Sequence, residues 1–138
     1  MSKQTLGFVV VGAWMIVSGS SQAHHSVAGA YDLGKEAKIS GAFSAFHLVN
    51  PHSSLKIQVK SPDGANTEWT FTGGSVQMLA RYHIGKEGEN ALDAGDTITV
   101  TYTPARDGHS PVGILRAITF ADGHTLQMRR LDDQDRGE

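Results

Sequence analysis

The chain has no cysteine. Disulfides, thiolate metal sites and a thiol nucleophile are therefore excluded, and a domain of this size must rest on its apolar core. There is no basic excess either: 12 Lys and Arg stand against 14 Asp and Glu, a formal charge of −2 with His neutral. That balance argues against a nucleic-acid partner, which favours a basic face. The apolar run Leu6 to Val17 has twelve residues, short of the roughly 20 needed to span a bilayer. No internal repeat or low-complexity tract is present. No serine has the Gly-x-Ser-x-Gly setting of a nucleophile elbow. No nucleophile–base set or cofactor fingerprint stands out, so a stand-alone hydrolase or oxidoreductase is not expected.

What is present begins with the pattern of a cleavable secretory signal. Lys3 supplies the positive n-region, Leu6 to Val17 the apolar h-region, and Ser21 and Ala23 the small residues that a signal peptidase reads. An uncleaved membrane anchor is the alternative. Cleavage after Ala23 leaves a mature chain starting at His24 with a net charge of −3. The expected organisation is a signal peptide over 1–23, an extended N-terminal arm over 24–36, a β-barrel domain over 37–130 and a disordered charged tail over 131–138. The expected location is the periplasm or the exterior, with no membrane association after cleavage.

Period-two alternation dominates the remainder. Ile39, Gly41, Phe43 and Ala45 alternate with Lys38, Ser40 and Ser44 in a strand that starts at Ala37 and bends or ends at Asn50-Pro51. Over Ser54 to Lys60, Leu55, Ile57 and Val59 alternate with Lys56, Gln58 and Lys60. Ser61-Pro62-Asp63-Gly64 is a turn, and Thr67 to Thr72 a third strand. Ser75 is placed to cap a short helix over Val76 to Tyr82. Ile84 to Ala94 reads as loop. Further strands follow at Thr97 to Thr103, Ile114 to Phe120 and Thr125 to Met128. Short strands separated by turn signals indicate a mainly β fold. One helix between strands three and four is the order of a small OB-like Greek-key barrel of five to six strands. A lipocalin-like or immunoglobulin-like sheet is the alternative.

Ala23-His24-His25-Ser26, Val49-Asn50-Pro51-His52, Trp69, Gly74-Ser75, Ala94-Gly95-Asp96 and Asp107-Gly108 together resemble a family of small exported proteobacterial proteins defined only as a domain of unknown function. The resemblance covers essentially the whole mature chain. It departs from the family at Ser53-Ser54, where an aromatic is usual, and at Ala94, where the turn is usually Pro-Gly-Asp. It implies a periplasmic barrel-like fold and supplies no activity.

The chemistry legible in the residues is metal chelation. With His24 as the first residue, its α-amine (pKa about 7.7–8.0) and imidazole (about 6.5) can offer lone pairs to one ion near neutrality. His25 adds an amide nitrogen and a second imidazole. Nitrogen-rich tetragonal sets favour Cu(II). His52, beside a proline-fixed corner, could complete the set if the arm folds back, and His47 lies five residues before it. The other reading of these residues is a solvated tail and a structural corner. His83, His109 and His124 are expected to be surface residues. The functional expectation is thus a non-enzymatic exported barrel that binds copper or a similar ion through His24, His25, His52 and His47. Its alternative is an interaction or small-ligand module, without metal, that serves a periplasmic protein partner.

Overall fold

The computed structural model describes residues 27–85 and 87–128. Its central strand is β1, Ala37–His47, which pairs with two different neighbours in its two halves. Ala37 to Ala42 pair antiparallel with β6, Thr97–Pro104, and Ala42 to His47 with β2, Ser54–Lys60. β2 pairs along its whole length with β3, Asn66–Thr72. β6 pairs with β7, Val112–Thr119. A short parallel pairing of β3 with β7, Thr70 to Thr72 against Val112 to Ile114, closes the ring.

The result is a closed five-stranded barrel in the order β1-β2-β3-β7-β6, with a sixth strand, β8 (Thr125–Gln127), added to β7. One helix, α1 (Val76–Arg81), lies between β3 and β6. A two-residue parallel pair, β4 (Ile84–Gly85) with β5 (Asn90–Ala91), follows it. This is the OB-type order that the strand pattern predicts. The segment read as loop over 84–94 contains that extra pair.

The strands are steeply tilted, as closure of a small barrel requires. Tyr102 pairs with Ala37 at the start of β1. From the adjacent Thr103, the ladder runs through Ile114, Thr72 and Ser54 to His47. One circuit therefore carries the chain from one end of β1 to the other.

Strand directions also fix the two ends of the barrel. β1, β3 and β7 finish at the end that carries residues 48–53, 73–96 and 120–124. The turn over 61–65, the loop over 105–111 and the entry into β1 lie at the opposite end.

Phe71, Leu55, Ile57, Ile98, Ile118 and Val100 fill the interior and are almost fully buried. Full burial stabilises such side chains by roughly 1.5–3 kcal/mol each. Tyr102 packs its ring 5.1 Å from Phe71 and 5.5 Å from Trp69, and burial raises its phenol pKa.

The arm departs from expectation. Residues 27–30 are helical rather than extended, with the Tyr31 amide donating to the Val27 carbonyl at 2.9 Å. Tyr31 then bridges Ala105, and the Arg106 guanidinium donates to the Ala28 carbonyl at 2.6 Å. The arm's shape thus depends on a residue far along the chain, which its own composition cannot reveal.

Gly41 lies where β1 changes partner. A Cβ there would come within 2.6 Å of the Gln58 carbonyl oxygen and 3.1 Å of the Ile57 and Val59 side chains. The nearest obstacle is backbone, so it cannot rotate away. Gly41→Ala is expected to destabilise the barrel by about 1–3 kcal/mol, read as a lowered denaturation midpoint in urea.

Candidate functional site

The Asn50-Pro51-His52-Ser53 corner is built into the fold by its polar neighbours rather than by its histidine. The Asn50–Pro51 bond is cis. Asn50 Oδ1 accepts from the Val76 amide at 3.2 Å, while the Ser75 side chain, the N-cap, accepts from Met78 N at 3.3 Å. Two otherwise unsatisfied amides of α1 are thereby bonded, one of them from across 26 residues. Ser53 is fully buried. Its amide donates to the Gly74 carbonyl, its carbonyl accepts from Gly73 N at 2.7 Å, and its hydroxyl donates to the Val49 carbonyl. Ser75 is legible locally as a cap. Asn50 is not, because nothing in the local sequence indicates which distant amide its side chain meets.

His47 and His52 are both exposed, at the same end of the barrel. His24 and His25 lie outside the described residues. Residues 28–32 hydrogen-bond to Pro104, Arg106 and their surroundings, at the opposite end from His52. Among the described residues, no three His, Asp or Glu side chains are grouped as a metal site.

The same end of the barrel that carries His47 and His52 also holds a cleft that strand alternation alone does not predict. Phe43 faces Ile57 and Phe46 faces Leu55, with Ser44 as an extra residue bulged out between them. A bulge resets the alternation. Phe46 therefore shares the core side with Phe43, where simple alternation puts Ala45. The two rings lie 4.9 Å apart, tilted by 49°.

Opposite them runs the segment from Gly85 to Ala94. It is tied to the bulge by Gly95 N donating to the Phe43 carbonyl at 2.8 Å and Phe43 N donating to the Asp96 carbonyl at 2.7 Å. Between these walls is a cavity of about 630 Å³. Phe43, Ser44, Ala45, Phe46 and Leu48 line one side, and Gly85, Leu92, Asp93 and Ala94 the other. Leu48 and Val49 project beside it, 49% and 42% exposed.

The far wall is braced from β7–β8. Asn90 is buried; its amide nitrogen donates to the Tyr82 carbonyl at 2.7 Å, and its Oδ1 meets His124 Nε2 at 3.0 Å. His124 Nδ1 pairs with Asp122 Oδ1 at 2.5 Å, and the imidazole stacks on Phe120 at 4.2 Å. His124, expected as an idle surface residue, thus joins two loops. Both ring nitrogens already have protein partners, so the Asp122–His124 pair acts as a brace rather than as a base.

His109 belongs to a local turn at the other end. There Asp107 accepts from the Ser110 hydroxyl and from the amides of Ser110 and His109, bonds that hold its carboxyl down at about 2.

A family model matches residues 13–114. The chain belongs to DUF6152, a family of unknown function. A comparison with curated proteins finds no match. The DUF6152 match takes in β1 to β6, the corner and both walls of the cleft, and stops at Ile114 within β7. The Asp122–His124 brace lies beyond it.

The corner's role can be separated from that of its histidine. Asn50→Ala is expected to cost about 1 kcal/mol of stability through the lost cap. His52→Ala should stay within about 0.5 kcal/mol. Parallel urea titrations of the two variants compare them directly.

Proposed function

We propose that this DUF6152 protein is an exported, non-enzymatic barrel that binds a small apolar ligand in the cleft between the β1 bulge and the Gly85–Ala94 segment. The observation that carries the reading is the cavity itself. At about 630 Å³, it falls in the size range of small-molecule sites, and its walls are mainly apolar, as such sites are. The two phenyl rings and Leu48, Leu92 and Ala94 supply apolar surface. Their hydrogen-bonded backbone supports keep the site formed without ligand. Export is supported by the Lys3, Leu6–Val17 and Ser21-x-Ala23 pattern.

Nile red, an uncharged dye, tests the site. It is expected to give a saturable fluorescence rise with one site per chain. Ala94→Phe, which adds a ring on the wall facing Phe43 and Phe46, should abolish that rise without unfolding the barrel. A linear, non-saturating response, or saturation unchanged in Ala94→Phe, rules the site out.

The histidine pair supports a second reading that is independent of the cleft. Cleavage after Ala23 would expose the His24 amine beside two imidazoles, a set suited to Cu(II). We propose this chelate with His24 and His25 alone, because residues 28–32 are hydrogen-bonded at the end of the barrel remote from His52. Copper titration of the processed chain should show an affinity that falls at least tenfold when one extra residue precedes His24. Equal affinity in the two forms discards the chelate.

A further inference from the structure

The cleft has a charge preference as well as an apolar floor. Among the described residues, Asp93 is the one charged residue on its lining. Among the described residues, the Asp93 carboxylate accepts no hydrogen bond and makes no ion pair; its backbone amide, not its side chain, is engaged, with Asp96 Oδ2 at 2.8 Å. The segment that forms this wall carries Glu87, Glu89 and Asp93 against a single lysine, Lys86. Among the described residues, the lining offers an anionic ligand no cationic side chain.

A cation meets the reverse. The rings of Phe43 and Phe46 line the same cleft as Asp93, and an aromatic face attracts an ammonium group within about 6 Å of its centre.

We infer that the cleft selects a small organic cation, an amine carried on an apolar body of about phenyl size, with its head at Asp93 and its body against Phe43 and Phe46. This rests on the cleft's being a ligand site.

Three probes with one apolar body and different heads separate the two claims: 4-phenylbutylamine, 4-phenyl-1-butanol and 4-phenylbutyric acid, titrated calorimetrically at neutral pH and low salt. The amine is expected to bind about threefold to tenfold more tightly than the alcohol, and the acid more weakly than either. Asp93→Asn should bring the amine down to the alcohol's affinity and leave the alcohol unchanged, and Asp93→Lys should make the acid the preferred probe. Equal affinities for all three in the wild-type protein, or an amine preference that survives in Asp93→Asn, overturn the charge selection while leaving the cleft as a ligand site. Failure of all three, with no effect of Ala94→Phe, overturns the site and the selection together.

Discussion

β1 must pair with β6 along its first half and with β2 along its second, and the barrel closes only because it does. An eleven-residue strand cannot serve two neighbours in this way while flat. It has to coil, and two local devices permit it. Gly41 lets the backbone pass close to Gln58 at the handover, and the extra residue at Ser44 bends the strand beyond it. The steep tilt that follows is also what brings β3 alongside β7 for their short parallel contact. The cleft is a by-product of the same bend. By turning Phe46 onto the side of Phe43, the bulge gives one barrel end an aromatic floor.

How much of this could be read from the sequence follows from the range of each interaction. The second strand is legible residue for residue, Ser54 to Lys60, because its register is written in its own alternation. The third strand and the helix come within one residue, since Ser75 announces the cap locally. The fourth long strand, read from Thr97 to Thr103, ends one residue later; the next, read from Ile114 to Phe120, runs from Val112 to Thr119. The Thr70 amide bonding to the Pro111 carbonyl draws that strand's start toward β3, a pairing no local pattern encodes. The bulge is invisible for a related reason: Ser44 fits the alternation perfectly well, and only the facing Leu55 and Ile57 determine that it is skipped.

The polar residues differ in how far the fold engages them. In the corner, Asn50 and Ser53 are the anchored residues, and His52 is carried at the surface beside them. In the β7–β8 turn the histidine is engaged, at both nitrogens. Residue type alone cannot separate these cases, because exposure and partners are decided by segments 26 and 34 positions away. The terminal pair His24-His25 is a different matter: its proposed chemistry depends on a free amine, which is set by processing and not by packing.

The corner and the cleft are mechanically one unit. Leu48 lines the cavity and Val49 adjoins it, both substantially exposed, and an apolar loop tip with no anchor would be drawn down onto the core. Ser53 prevents this from one side by bonding the Val49 carbonyl and both Gly73 and Gly74; Asn50 prevents it from the other by holding the loop to the start of α1. The polar motif thus keeps apolar surface in water at one mouth of the barrel. Exposure of that kind is unfavourable in the free protein by roughly 25 cal/mol per Å², and the free energy is recovered only when something apolar covers it. Preorganisation of this kind is what the proposed ligand site requires.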